Sequence, residues 1–147
     1  MLSGELSTAL TGRHITTELF PFDYSEYKLL KSKNSFENFL EEGGFPAVLD
    51  YESPQMLLQE YYRDIIERDV RRRVSARSSL TLSQLVKAVF ESTGSEISLR
   101  SLAKTLNITA DTVRTYLEAC EAAYILFQCP YFTFSEKQRA SRNRKYY

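Results

Sequence analysis

The 147 residues contain few of the side chains on which most catalytic and metal sites depend. There is one histidine, His14, there are two cysteines, Cys120 and Cys129, and there is no tryptophan. Both cysteines lie among apolar residues and lack metal-ligand spacing, so the sequence predicts reduced thiols and no metal site. His14 accompanies no recognisable nucleophile motif, and a lone histidine of this kind is more often structural than catalytic.

Glycine is also scarce, which bears on nucleotide binding. None of the five glycines lies in a G-x-x-x-x-G-K-[ST] motif. That motif supplies the backbone amides and the lysine that hold the phosphates of ATP. We therefore expect that these 147 residues alone neither bind ATP tightly nor hydrolyse it, and that they hold no cofactor by themselves.

Long apolar runs are missing as well. The longest are a few residues, as in Ala122–Phe127, so no membrane partner is expected. Residues Met1–Glu5 have neither the basic nor the apolar region of a secretory signal. With 43% apolar and 26% charged residues, the composition is typical of a globular protein, and we expect a cytoplasmic location.

Charge of one sign dominates each half, although the net charge is zero. Residues 1–60 contain ten acids and four bases, a net charge of −6, whereas residues 61–147 contain nine acids and fifteen bases, +6. The second half could contact a polyanion. An acidic partner within the same chain explains the asymmetry equally well.

The most charged stretch is YYRDIIERDVRRRV, residues 61–74. Its apolar residues recur at helical spacing, and one row consists of Leu58, Tyr62, Ile66, Val70 and Val74. The opposite side carries acid–base pairs four residues apart, such as Glu67 with Arg71. This pattern favours an amphipathic helix whose charged face is exposed to solvent over a helix that binds phosphates. Arg71–Arg73 and then Arg77 leave an excess of positive charge at its end.

Other local signals divide the rest of the first half. The β-branched stretch at residues 13–20 predicts a strand, and Asp23 with Glu26 predicts a capping box that opens a helix. EGGFP, residues 42–46, predicts a turn. The small polar stretch at residues 75–81 is the best internal boundary.

The second half predicts a winged helix, three helices followed by a β-hairpin. Ser98 and Thr109 cap the second and third helices, and a strand, a basic loop and a strand follow. The groove-facing residues of the third helix would be Ala110, Asp111, Arg114, Thr115 and Glu118. The predicted wing carries Lys137, Arg139, Arg142, Arg144 and Lys145 against Glu136, a net charge of +4 over residues 136–145.

These charges indicate where DNA could bind. One arginine among two acids makes the third helix a poor phosphate surface, whereas the wing offers up to five phosphate contacts. We expect any DNA binding to come from the wing, to be largely independent of sequence, and to depend little on Arg114. A winged helix that serves only for protein packing is the open alternative.

Several stretches together resemble a large prokaryotic family of AAA-type P-loop ATPases. They are LSGELSTALTGRHITTELFPFDYSEY (2–27), FENFLEEGGFPAVL (36–49), LLQEYYRDIIERDVRRRV (57–74), LAKTLNITADTVRTYLEACEAAYILF (102–127) and FSEKQRASRNRKYY (134–147). In that family an ATPase domain is followed by a helical lid, a winged helix and a nuclease-like domain of unknown function. The resemblance implies a central fragment that lies between the Walker motifs and the C-terminal domain.

The resemblance implies a mainly α fold with three parts. Residues 1–22 would be a short α/β remnant of the ATPase core, 23–75 the helical lid bundle, and 76–147 the winged helix. Arg13 is then a candidate arginine finger and Arg68 a candidate sensor arginine, which Asp64 could orient. For each, an ordinary ion pair or solvated position is the open alternative.

The implied partners follow from the same resemblance. The complete protein would bind ATP and Mg²⁺, its missing P-loop half and C-terminal domain would contact this chain, and a homo-oligomer would let Arg13 reach a neighbour. This chain alone would then be catalytically inactive. The rival hypothesis is a free-standing winged-helix DNA-binding protein with a helical dimerisation arm.

Overall fold

The computed structural model describes residue 15 and residues 17–74 and 79–147, apart from the side chain of Ala140. The described chain is mainly helical and has a small three-stranded antiparallel sheet near its C-terminus, which confirms the predicted fold class at that level. It forms two compact units that divide between Asp64 and Ile65. We call them the N-terminal unit and the C-terminal unit. The predicted domain boundary between residues 75 and 76 stays a prediction.

Four short helices build the N-terminal unit. They are α1 (Tyr24–Leu30), α2 (Phe36–Glu42), α3 (Pro46–Leu49) and α4 (Pro54–Asp64). The capping box predicted for α1 is confirmed, because the Glu26 amide donates to Asp23 Oδ1 at 2.8 Å and the Asp23 amide donates to Glu26 Oε2 at 3.0 Å. Ser35 caps α2 in the same reciprocal way with Asn38. Helix α2 packs against α1 and α4.

One buried tyrosine connects α1 to α2. Tyr27 is fully buried, its hydroxyl donates to Glu42 Oε2 at 2.8 Å, and Asn34 Nδ2 donates to the same hydroxyl at 2.7 Å. Its ring lies 5.2 Å from that of Phe39. Because a buried hydroxyl is costly without partners, this network fixes how the two helices pack.

The predicted turn at EGGFP is confirmed, and both of its glycines are needed there. Gly43 ends α2 with φ at +72°, a conformation that side chains rarely adopt. At Gly44 a Cβ would overlap the Phe22 carbonyl, because the Phe22 amide donates to the Gly44 carbonyl at 2.8 Å. The turn therefore brings the chain back against the segment that precedes α1.

The strand predicted at residues 13–20 is not formed where it is described, at Ile15 and residues 17–20. Ile15 and Leu19 are 97% and 90% exposed. A strand is defined by its ladder of hydrogen bonds to a neighbour, and β propensity alone does not create one. Arg13 and His14 lie outside the described residues.

The C-terminal unit has the winged-helix order of elements. A π-helix (Ile65–Val70), α5 (Arg71–Val74) and α6 (Ser79–Glu91) precede β1 (Glu96–Ile97), α7 (Leu99–Leu106), α8 (Ala110–Ala122), β2 (Gln128–Cys129), α9 (Glu136–Ser141) and β3 (Arg144–Tyr146). The strands lie in the order β1-β3-β2, so that Ile97 pairs with Arg144 and Gln128 with Tyr146. The predicted hairpin is thus part of a sheet with an additional strand, β1, and its connection contains a helix, α9.

The core of this unit lies between α6, α8 and the sheet. Fully or almost fully buried apolar side chains come from the π-helix, α6, α8 and the strand region: Ile66, Val70, Leu82, Leu85, Val86, Val89, Val113, Leu117, Cys120, Leu126 and Tyr146. The π-helix and α5 pack against α8. On the exposed side Glu67 and Arg71 form the predicted ion pair at 2.8 Å. The amphipathic interpretation of residues 65–74 is therefore confirmed.

Candidate nucleic-acid interface

Helix α8 corresponds to the third, groove-facing helix of the sequence prediction. Thr109 caps it, since the Thr112 amide donates to Thr109 Oγ1 at 3.1 Å. Val113 and Leu117 on one side are buried, which leaves the other side to solvent. On that side Asp111, Arg114, Thr115 and Glu118 are exposed, and Ala110 is half-buried.

Arg114 is held near the start of this helix. Its Nη1 forms an ion pair with Asp111 Oδ1 at 3.3 Å, although both side chains remain mostly exposed. The Thr115 hydroxyl donates to the Asp111 carbonyl at 2.9 Å. An exposed pair of this kind contributes little to stability, so the Arg114 guanidinium remains available to a ligand.

The wing, defined here as residues 130–145, does not present its five basic side chains in the same way. Arg139 on α9 forms an ion pair with Glu136 at 2.7 Å and donates to the Thr133 carbonyl at 3.0 Å. The Arg142 guanidinium lies over the Tyr131 ring, 5.5 Å from its centroid. Lys137 and Lys145 are exposed. The positive charge is therefore spread over several directions.

Arg144, like Arg139, is less exposed than the other three. It is half-buried on β3, and its Nη1 donates to Gln128 Oε1 on the neighbouring strand at 2.9 Å. Burial raises the pKa of nearby Glu121, and the charge of Arg144 opposes that rise. The hydrogen bond to Gln128 thus positions the side chain against β2.

A cleft of about 370 Å³ opens between α7, α8 and the C-terminal part of the wing. Four of its lining residues are arginines, and its remaining lining consists of apolar, hydroxyl and amide side chains. The lining is Ile97, Ser98, Leu99, Arg100, Ala110, Arg114, Ser141, Arg142, Asn143, Arg144 and Tyr146. We call it the arginine cleft. Its volume is within the range of ligand pockets, roughly 300–1,000 Å³.

The arginine cleft unites only some of the residues predicted from sequence. Arg142 and Arg144 line it together with Arg114, whereas Lys137, Arg139 and Lys145 do not. Arg100 is a site residue that the sequence prediction missed. Its only local signal is its position two residues after the Ser98 cap, in the first turn of α7, because the other three lining arginines come from other elements.

Arg68, the candidate sensor arginine, lies in the π-helix and is exposed. Arg13, the candidate arginine finger, lies outside the described residues. Among the residues that the structure describes, no group of three or more His, Cys, Asp and Glu side chains could hold a metal ion. No helix in this part of the chain is both long and apolar enough to span a bilayer.

The C-terminal unit thus has the winged-helix order of elements, and α8 and the wing both contribute residues to the arginine cleft. The chain belongs to a family described as Domain of unknown function (DUF8612), whose match covers residues 33–147.

Two relatives are longer than this chain. An uncharacterized protein of Haemophilus influenzae is 22% identical over 162 residues, which include the whole chain and 40% of the relative. The uncharacterized protein MJ1544 of Methanocaldococcus jannaschii is 28% identical over 160 residues, 93% of the chain and 36% of the relative. The chain therefore spans well under half the length of these curated relatives. No solved structure matches it.

Proposed function

We propose that this chain is the lid and winged-helix part of a longer AAA-type ATP-binding protein, and that its winged helix contacts DNA. The observation that carries the first part is its alignment, over 93% to 100% of its length, with proteins of which it forms about 40% or less. The ATPase assignment is supported by the sequence resemblance, which extends across the lid and winged-helix stretches.

The surface of the N-terminal unit supports a covering partner. Leu29 and Leu40 are 84% and 67% exposed, and Met56 is 65% exposed. If these exposed side chains form one patch, it would be an interaction surface. The occupant we propose is the ATP-binding core of the same protein, which a lid must contact in order to close over nucleotide.

Arg68 is our candidate for the sensor arginine of this lid. It is exposed within the π-helix Ile65–Val70, and short π-helical segments frequently occur at functional sites. Arg13 would serve as an arginine finger toward a neighbouring copy, which makes a homo-oligomer part of the proposal. ATP and Mg²⁺ would then be cofactors of the complete protein.

The coding sequence tests the ATPase assignment directly. We expect a G-x-x-x-x-G-K-[ST] motif in the same reading frame upstream of the codon for Met1. In the complete protein Arg68→Ala should lower ATP turnover at least about tenfold, whereas the exposed neighbour Arg72→Ala should leave it nearly unchanged. A reading frame that is closed upstream would rule out the ATPase assignment. Equal ATP turnover in the Arg68→Ala and Arg72→Ala variants would rule out the sensor role of Arg68.

DNA contact is the second function, and the observation that favours it is the placement of Arg142 and Arg144 beside the recognition helix. If about five phosphates are neutralised, log K should fall against log salt with a slope near −4 to −5. Affinity at physiological salt should be on the order of 10⁻⁴–10⁻⁶ M.

A charge-matched pair of variants tests this function by fluorescence anisotropy on two unrelated duplexes. Changing Arg139, Arg142 and Arg144 together to alanine should remove most of the salt slope. The control removes the same charge from the exposed side chains of Arg72, Arg73 and Lys87 and should retain most of it. Absence of binding at low salt would instead make the winged helix a protein-packing module.

A further inference from the structure

The arginine cleft gathers more positive charge than its sequence neighbourhoods suggest. Four arginines are among its lining residues: Arg100 from α7, Arg114 from α8, and Arg142 and Arg144 from the C-terminal part of the wing. No aspartate or glutamate is among the residues that line it. An anion bound in the cleft would be attracted by the positive charges of these side chains.

Nearby groups compensate part of the charge of these side chains. Arg114 has the carboxylate of Asp111 as a partner, and Arg144 is close to Glu121. Arg142 lies over an aromatic ring, which orients a cation but carries no negative charge. Two of the four positive charges therefore remain uncompensated by the carboxylates described around the cleft.

The remaining lining suits a tetrahedral oxyanion. Guanidinium groups offer paired N–H donors whose spacing matches phosphate oxygens. Ser98 and Asn143 line the same opening with a hydroxyl and an amide, whereas the Ser141 hydroxyl already donates to the Gln138 carbonyl at 3.1 Å. The Ser98 hydroxyl already caps α7. The apolar side chains of Ile97, Leu99 and Tyr146 limit water on one side and strengthen charge-assisted hydrogen bonds.

We propose that the arginine cleft is a phosphate-binding site, with Arg100 and Arg114 as ligand-contacting residues beside Arg142 and Arg144. The phosphate belongs either to a nucleic-acid backbone or to a free phosphorylated molecule. The first source rests on the proposed DNA contact, and the second does not. This inference departs from the sequence expectation that Arg114 contributes little.

The first experiment measures duplex binding of the intact chain at low salt by fluorescence anisotropy. Arg100→Gln should weaken binding about tenfold, the effect of one charged hydrogen-bond pair. Lys104→Gln removes the same charge from an exposed position on the same helix, outside the cleft, and should weaken binding less than about twofold. Arg114→Gln should behave like Arg100→Gln.

The second experiment uses inorganic phosphate and AMP as probes and follows the arginine Nε–H signals by NMR. If the phosphate source is free, both probes should shift the Arg100 and Arg114 signals, and Arg100→Gln should weaken that response. If the source is DNA, the duplex should shift the same signals at far lower concentration. Circular dichroism of each variant checks that the fold is intact.

The outcomes separate the two proposals. Strong effects of Arg100→Gln and Arg114→Gln on duplex binding support the cleft and the DNA function together. The triple variant of Arg139, Arg142 and Arg144 could lose duplex binding while Arg100→Gln weakens it no more than Lys104→Gln does. That result would rule out phosphate binding in the arginine cleft and leave the DNA function intact. Phosphate shifts without any duplex binding support the cleft and overturn the DNA function. No response to any probe overturns both.

Discussion

The N-terminal unit buries only Tyr27, Val48 and Leu49 among its described apolar residues, whereas the C-terminal unit has a continuous core built from every major helix and the sheet. The first unit is held together by capping boxes, the Tyr27 network and a glycine turn. The second is held together mainly by apolar packing. Since burial of apolar surface dominates stability, the two units should respond differently to the same kind of substitution.

The difference suggests a division of roles. The described part of this unit, residue 15 and residues 17–64, buries few side chains, and a domain of this size is marginal by itself. The winged helix has a buried core of its own, and its wing exposes apolar side chains, Phe132 at 82% and Phe134 at 95%, beside its basic residues. Packing within a larger protein by the first unit and contact with a polyanion by the second are the roles that we propose for them.

The largest expected difference is in the rates at which a thiol reagent labels the two cysteines. These rates report on how well the core of the C-terminal unit excludes solvent. Cys120 is fully buried, and burial raises the pKa of its thiol to about 12, whereas Cys129 is exposed. A thiol reagent at pH 8 needs an accessible thiolate, so Cys129 should react at least about 100-fold faster than Cys120.

The control for this measurement is Cys129→Ser, which should remove the fast phase and leave a single slow phase. Urea that unfolds the N-terminal unit should leave Cys120 protected. Fast labelling of both thiols in native buffer would show that the core of the C-terminal unit opens far more readily than its packing suggests.

The next contrast is between a buried leucine of one unit and an exposed leucine of the other. Leu85 on α6 is fully buried, and Leu85→Ala should cost about 2–5 kcal/mol of the free energy of unfolding. Leu29 on α1 is 84% exposed, so Leu29→Ala should stay within about 0.5 kcal/mol. Urea unfolding followed by circular dichroism measures both, and similar costs would contradict the contrast.

The local signals were the features that the sequence predicted well. Asp23, Ser98 and Thr109 were assigned as caps, and each hydrogen bond forms within three residues of its own position. The buried stripe at Ile66 and Val70 was equally local, because helical periodicity places those side chains on one face.

The arginine cleft could not be predicted in this way. Arg100 and Arg142 are far apart in the chain, and only the pairing of β1 with β3 brings their segments together. Strand β1 has two residues, Glu96 and Ile97, and is too short for a pattern of alternation. The helix within the wing was missed for a similar reason, since six residues do not establish a period.

A smaller effect on the free energy of unfolding is expected when the Tyr27 hydroxyl is removed. This change tests how much hydrogen bonds, as opposed to apolar packing, stabilise the N-terminal unit. Tyr27→Phe keeps the ring but removes the bonds to Glu42 and Asn34, and should cost about 1–2 kcal/mol. Tyr51→Phe, at a side chain 54% exposed, is the control and should change little. Urea unfolding of the intact chain provides the measurement.

The same tyrosine predicts a dependence on pH. Burial is the main cause that raises the pKa of Tyr27 above its ordinary value of 10.0. A group whose pKa is higher in the folded state contributes stability below its unfolded pKa and loses it as pH rises through the folded pKa. Tyr27→Phe should therefore reduce the loss of stability above pH 10. An unchanged alkaline profile would exclude Tyr27 as its cause.

The smallest effect is expected at the cap of the recognition helix, where one hydrogen bond stabilises the C-terminal unit. Thr109→Ala removes the acceptor for the Thr112 amide and should cost about 1 kcal/mol. Thr105→Ala, at an exposed position inside α7, should instead be neutral or stabilising by up to about 0.5 kcal/mol. Thermal unfolding monitored through the slow labelling of Cys120 assigns the loss to the C-terminal unit. If Thr109→Ala destabilised the N-terminal unit by the same amount, the two units would unfold in one cooperative transition. They would then have no separate stabilities that the difference between their cores could explain.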